Sequence, residues 1–463
     1  MVSPSTVARA FPPGPPRRGI RGTLRYYVGM VRDPLGFVAA RFERYGHTYF
    51  VPGPGGGLYV SRHPDHLHDV LVTHASKLGK GHTALQQIAR VLGDGLLTSD
   101  GDAWKRQRRM VQPAFSKARL AAYASVMQDE AARTTAGLVA DDVRDMSREM
   151  MELTLRIVSR TLFGHDVAGQ TDEVARAMTA FQESVARPDL LPAFLPTPQR
   201  RRLREAIETL DRIMYAMIDT RRRHTGEHDD LLQMLVDAVD DQGDGGRLSA
   251  KEVRDQLVTM FLAGHETTSH ALTWTLYLLS QNPRADAALH AEIASVLQGR
   301  APTYADLPLL TYTEQVLKES MRLFPPAYSL ARRADEDASI GPYRVRQGSE
   351  VIVHVYHTHR DPILYPDPLA FRPERFTEAE EAKRPPLAYL PFGAGPRTCI
   401  GKAFAMIEAK IILATLVQKF RFELARGQRV AVNPRITLAP RYGMKLRLVA
   451  RDRGALCAIG DTR

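Results

Sequence analysis

From about position 64 to 325, apolar residues recur every three or four positions, the stripe an amphipathic helix turns toward a core, and they predict a mainly helical body. Its most sharply bounded helix opens at Ser249-Ala250-Lys251-Glu252, a capping box in which Ser and Glu side chains satisfy orphan amides. The same spacing runs on to Asn282-Pro283, where proline ends it. About thirty residues at a rise of ~1.5 Å make roughly 45 Å, enough to cross the molecule. Prolines 188, 192, 196 and 198 mark a surface connection near 187–199. Before this body, Thr48 to Val60 reads as a hairpin turned at Gly53-Pro54-Gly55-Gly56-Gly57. Those glycines run into a strand, so they lack the helix that a phosphate cradle requires. After about 335 short strands appear, including Ser349 to Tyr356, then a long loop, a helix from 400 to about 420, and closing strands near 429–449. The fold class expected is mainly α with a small β part drawn from both ends.

The 463 residues, 44% hydrophobic and 25% charged, describe an ordinary globular chain. A proline-rich approach (1–30), one domain (31–450) and a tail (451–463) are expected. The net charge of +11 invites a nucleic-acid reading, but the basic residues are interleaved with acids: Arg221, Arg222 and Arg223 are followed by Glu227, Asp229 and Asp230. No nucleic-acid partner is expected, although an acidic protein would be attracted. No window approaches the roughly 18 apolar residues of a membrane span. With two cysteines and no apolar leader, the chain reads as soluble and cytoplasmic. Asp240 to Gly246 imitates a calcium loop, but Lys251 falls where the last acid belongs, so a plain loop is expected.

The strongest chemical signal is Pro391-Phe392-Gly393-Ala394-Gly395-Pro396-Arg397-Thr398-Cys399-Ile400-Gly401, a turn-rich loop delivering a cysteine to the start of a helix. Helix dipole and free amides favour a thiolate there, and the glycines allow backbone and a flat ligand to approach closely. A buried structural cysteine is the competing reading, and the physics alone leaves the two even. The segment resembles the heme-binding signature of the cytochrome P-450 family, F-x-x-G-x-R-x-C-x-G, matched at Phe392, Gly395, Arg397, Cys399 and Gly401. The resemblance implies the cytochrome P-450 fold, with a long central helix over a heme. It makes Cys399 the iron ligand, with Phe392 shielding the sulfur, Gly393 beside the heme, and Arg397 pairing with a propionate.

Three further segments fall in the family's order. Glu319-Ser320-Met321-Arg322 sets opposite charges three apart on a helix among apolar neighbours, and it resembles the family's E-x-x-R motif, with Arg375 as third member of a buried triad that holds the cysteine loop. Ala263-Gly264-His265-Glu266-Thr267-Thr268 is a poor choice for mid-helix, and a Thr267 hydroxyl can divert the Ala263 carbonyl. Close helix packing is the alternative, but the segment is similar to the family's oxygen-activation motif. By that likeness Ala263 and Gly264 make room for oxygen, Thr267 holds a water, and Glu266 relays protons, with His265 a bystander. Trp104 and Arg108, one turn apart, resemble its W-x-x-x-R propionate contact, and Arg332 stands where the family often places another propionate-binding arginine. By position, Leu97, Ala263, Ala327 and Tyr328 are expected to line a lipophilic pocket.

The resemblance implies a heme b (iron protoporphyrin IX) monooxygenase that hydroxylates a lipophilic small molecule such as a fatty acid, terpene or steroid-like compound. NAD(P)H would supply electrons through a separate acidic ferredoxin or flavodoxin with its reductase, docked on Lys105, Arg106, Arg109, Lys402 and Lys410. A peroxide-driven or isomerase-type heme-thiolate enzyme is the alternative; the retained Glu266 and Thr267 speak against it. Two histidine groups, His63/His66/His68 and His354/His357/His359, are expected not to bind metal, the second because strand alternation would part His354 from His357.

Overall fold

The structure, a computed structural model, describes residues 11–16, 26, 28–164, 197–223, 230–240 and 245–451, with scattered helical positions between 173 and 184. The longer helices are α1 (Pro34–Tyr45), α2 (Thr83–Leu92), α3 (Gly101–Val111), α4 (Lys117–Ala136), α5 (Met146–Phe163), α6 (Pro198–Arg223), α7 (Leu231–Asp237), α8 (Ala250–Gln281), α9 (Pro283–Leu297), α10 (Thr311–Leu323) and α11 (Lys402–Lys419). The expected capping box is present: Ser249 Oγ accepts from the Glu252 amide at 3.2 Å and Glu252 accepts from the Ser249 amide at 2.8 Å. The helix it starts, α8, has 32 residues, about 48 Å.

Helix α8 packs on α5, α6, α10 and α11, and it is buried all round from Val253 to Leu262 and again from Thr268 to Leu276. A helix buried on every side must be apolar or satisfy its polar groups internally. Several of its hydroxyls do the latter, bonding back to the carbonyl one turn earlier: Thr273 to Ser269 and Thr275 to Ala271, both at 2.7 Å. Phe261 stacks on Phe163 of α5 with centroids 4.4 Å apart, and Trp274 stacks on Phe324 at 4.1 Å.

The strands are β1 (Thr48–Val51), β2 (Leu58–Ser61), β3 (Leu78–Gly79), β4 (Val143–Asp145), β5 (Leu330–Ala334), β6 (Ala338–Ile340), β7 (Tyr343–Val345), β8 (Glu350–Val353), β9 (Phe420–Leu424), β10 (Val432–Pro434), β11 (Leu438–Pro440) and β12 (Lys445–Ala450). The largest sheet runs β1-β2-β8-β5-β3. The expected hairpin is its edge, paired from Thr48↔Ser61 to Val51↔Leu58. Strand β2 then runs parallel to β8, Leu58↔Glu350 to Ser61↔Val353, which joins the two ends of the chain. A smaller sheet, β4-β12-β9, ties the start of α5 to the C-terminal strands.

Two details depart from expectation. The strand expected over Ser349 to Tyr356 stops at Val353, and the chain turns helical over Val355–Thr358. Strands β3 and β4 lie inside the helical stretch, too short to show a period of two. Pro198 opens α6; the other three prolines of that connection, the core of the 240–246 loop and Cys457 lie outside the described residues. Among the described residues no helix is long and apolar enough to cross a membrane.

Candidate active site

The cysteine loop is shaped by glycines. Gly393 and Gly395 have φ of +70° and +68°, in the left-handed region. A Cβ on Gly395 would also stand 1.9 Å from the Leu71 carbonyl oxygen, so no other residue fits. The Cys399 amide donates to the Phe392 carbonyl at 2.9 Å, closing the loop just before α11. The thiol is exposed yet crowded by protein, as a group lining an internal cleft must be. Burial pushes it up, against the Gly401 amide, Arg108 and Lys402, which favour the thiolate. The helix terminus therefore does not ionise Cys399 on its own, contrary to the sequence expectation. A bound metal cation would reverse the balance.

Around this loop the fold concentrates positive charge. Arg108 donates to the Thr398 carbonyl at 2.9 Å and lies close enough to Cys399 to feel its charge. Arg397 donates to the Ser99 carbonyl at 2.9 Å and to Asp100, with its guanidinium 3.9 Å from the centre of the Trp104 ring. Trp104 thus serves as a platform for Arg397. Arg332, on β5, is buried, and burial with repulsion from Arg397 pulls it down to about 10. Two residues missed from the sequence join them. Burial, then Arg332 and Arg397, pulls Lys80 down to about 7, and His82 is pulled down to about 4, by burial first. Lys80 donates to the Leu97 carbonyl at 2.8 Å, and Asp100, also unforeseen, is the acid among these cations. No local pattern marks Lys80, which reaches the cluster from the loop after β3.

Four cations to one carboxylate is an arrangement that needs further anions. Two propionates would supply that charge, and an exposed thiol on a close-approach glycine loop could serve as a metal ligand. The residues therefore fit a heme.

On α8, Ala263 is exposed in the middle of an otherwise buried helix, with Gly264 and Thr267 half-buried beside it. The Thr267 hydroxyl donates to the Ala263 carbonyl at 2.8 Å, as its spacing predicts. Gly264 has a different job from the one expected. A Cβ there would sit 2.9 Å from Val158 Cγ2, so it admits α5 rather than opening space. Glu266 is buried, and its Oε1 lies 2.5 Å from the Thr437 hydroxyl, which in turn is 3.1 Å from His270 Nδ1. On α11, the buried Glu408 is pushed well up by burial, opposed by the hydroxyl of Thr268. Of the expected pocket residues, Leu97, Ala327 and Tyr328 are half-buried, and Tyr328 spends its hydroxyl on the Arg435 carbonyl at 3.0 Å.

The triad forms. Arg322 meets Glu319 through two bonds, 2.6 and 2.8 Å, with both side chains fully buried, and Arg375 Nε stands 3.4 Å from Glu319. The cysteine loop is reached indirectly. Arg322 donates to the His359 carbonyl at 2.8 Å, and His359 Nε2 accepts from the Leu390 amide at 2.9 Å, at the head of that loop. His359 is the link that sequence reading missed.

Two expectations need correction. His354 and His357 are not parted; because the strand ends early, their Nδ1 atoms meet at 2.9 Å. Among the described residues, no cluster of three or more metal-ligating side chains occurs. Of the basic docking patch, Lys410 is buried against Glu314 at 2.6 Å, Arg106 is taken by Glu252 at 2.8 Å, and Arg109 by Asp240 at 2.9 Å. Lys105 and Lys402 remain exposed, with Lys105 paired to the equally exposed Asp102 at 2.9 Å.

Comparisons with known proteins place the chain in a family. The family model described as cytochrome P-450 matches residues 12–445. The chain is 39% identical to cyclooctatin synthase of Streptomyces melanosporofaciens over 417 residues, 88% of this chain and 90% of that protein. It is 33% identical to cyclooctat-9-en-7-ol 5-monooxygenase of the same organism, covering 92% and 94%. Pentalenene oxygenase of Streptomyces avermitilis is 32% identical, covering 92% and 95%. With a thiol-bearing glycine loop, a nearby cluster of cations and a long helix that exposes Ala263, this chain belongs to the cytochrome P-450 family and is an oxidoreductase with a heme-iron cofactor.

Proposed function

We propose that this chain holds heme b and inserts one atom of molecular oxygen into a lipophilic, terpene-like molecule. Two relatives are named for oxygenating cyclooctat-9-en-7-ol and pentalenene, both ring alkenes by name, which favours that class over fatty acids and steroids. Electrons come from NAD(P)H through a separate acidic ferredoxin or flavodoxin, with Lys105 and Lys402 as the accessible contacts. The observation that carries the reading is the exposed Cys399 thiol inside a cluster of under-neutralised cations.

When bound, the heme supplies the oxygen-activating and electron-accepting chemistry. The chain's residues supply the rest. Cys399 donates its sulfur as thiolate, while Lys80, Arg108, Arg332 and Arg397 hold the propionates. Ala263 keeps the facing side small. The Thr267 hydroxyl orients a hydrogen-bonded water, and Glu266 holds a proton one residue away.

The test is the absorption spectrum of the reduced protein under carbon monoxide. A strongly red-shifted Soret band, lost in Cys399→Ala, is expected. An ordinary band, or one unchanged in Cys399→Ala, overturns the proposal.

A further inference from the structure

We propose that Thr437 and His270 are positioning residues for Glu266, forming an anchor that holds its carboxyl by Oε1 whether or not it carries a proton. The inference rests on the reading of Glu266 as the proton-bearing acid.

Glu266 and His270 are one turn apart on the same face of α8, and Thr437 comes from the turn between β10 and β11 to sit between them, 2.5 Å from Glu266 Oε1 and 3.1 Å from His270 Nδ1. That turn is fixed from both sides. The Leu438 amide donates to the Pro326 carbonyl at 3.0 Å, and the Trp274 indole donates to the Leu438 carbonyl at 2.8 Å. All three side chains are buried, so each proton must be accounted for.

The hydroxyl has one hydrogen and two neighbours. If Glu266 is ionised, Thr437 donates to it, and His270 must donate to Thr437 from a protonated Nδ1. If Glu266 is protonated, it donates to Thr437, which then donates to a bare Nδ1. Both arrangements satisfy Glu266 Oε1, the Thr437 hydroxyl and His270 Nδ1 and leave the imidazole neutral; they differ in its tautomer. Burial keeps the ring in that neutral form, with His265 and Arg435 as the nearby groups that also disfavour a charge, and His270 is pulled down to about 3. A lysine or arginine in place of Thr437 would lock Glu266 ionised, and an apolar residue would release it. The reversible hydroxyl lets the acid give and regain a proton without changing place.

The tautomer therefore reports the state of Glu266, which gives a test independent of turnover. Histidine labelled with nitrogen-15 is read by NMR in the reduced, carbon-monoxide-bound heme protein, which is diamagnetic, with His270 assigned by its loss in His270→Gln. Thr437→Val is expected to move the His270 Nδ1 resonance, Thr437→Ser to restore it, and Glu266→Gln, which replaces the titrating carboxyl by an amide, to move it as well. Coupled turnover should fall by about tenfold in Thr437→Val with KM unchanged. A His270 resonance indifferent to both Thr437→Val and Glu266→Gln overturns the inference, even where Glu266→Gln diverts oxygen to peroxide and so supports the underlying role. Should Glu266→Gln leave the division of oxygen between product and peroxide as it was, the underlying role fails and this inference with it.

Discussion

Taking the heme protein from about pH 7 to about pH 5.5 offers protons to the unfolded chain that the folded one refuses at four histidines. His270, His354 and His359 are each pulled down to about 3 and His357 to about 2, from 6.5, with burial the first cause in every case. The geometry agrees: the two Nδ1 atoms of His354 and His357 share one hydrogen over 2.9 Å, and His359 Nε2 must stay bare to accept from Leu390. For a histidine whose folded value is lowered, stability is complete above the unfolded value near 6.5 and drains away as pH falls toward the folded value. Each group costs about 1.2 kcal/mol over that interval, and the four together about 5 kcal/mol, comparable with the whole stability of many domains. Glu408, pushed the other way by burial, releases a proton on unfolding and opposes part of the loss. A difference removes it. Urea unfolding, followed by tryptophan fluorescence, gives the protons taken up from the dependence of stability on pH. The double variant His354→Asn, His357→Asn should take up about two fewer near pH 5.5, flattening the slope by about 2.5 kcal/mol per pH unit. An unchanged slope would refute the reasoning, whatever the variant does to stability itself.

Two other substitutions probe the site. Glu319→Gln leaves Arg322 and Arg375 without their carboxylate in a buried setting, and should cost about 3–5 kcal/mol in urea unfolding. Faster heme loss should accompany it through the His359 link; a cost under about 1 kcal/mol would sink the triad's role. Lys80→Met removes one of several crowded cations, so the heme-free protein should gain about 1 kcal/mol, less than burial alone suggests because the side chain is part-exposed. The same change should speed heme release about tenfold, since one charge-assisted bond is lost; a heme-free protein that is also weakened would contradict the repulsion.

What the sequence revealed was whatever a local pattern can carry. The capping box, the proline stop and the glycine-spaced cysteine loop are written within a few residues of where they act, and each stands where the pattern put it. The hydroxyl of Thr267 folding back on Ala263 follows from a separation of four. The failures share a cause too. Lys80, Asp100, Thr437 and His359 reach the site from loops and turns whose own sequences are unremarked, and only long-range packing brings them there. The space expected at Gly264 is taken by Val158 of α5, because periodicity cannot say which face of a helix meets which neighbour. Lys410 was placed on the surface for the same reason, and it is buried against Glu314.

The proximal and distal halves of the site follow opposite electrostatic rules, and this division is what the fold provides. Around Cys399 the chain gathers Lys80, Arg108, Arg332 and Arg397 against Asp100, a surplus of partly buried cations that an anionic ligand would make favourable. Along α8 and the facing turn of α11 it does the reverse: Glu266, His265 and His270 of α8 and Glu408 of α11 are buried, with burial holding both imidazoles neutral and pushing Glu408 well up. Fixed charge suits the first half, whose task is to grip a ligand and draw electron density from a thiolate. It would harm the second, where a permanent ion would hold its proton too tightly or not at all. Groups joined through Thr437 can pass between donor and acceptor roles at little cost, which, on the function proposed, leaves proton control with Glu266 and its anchor.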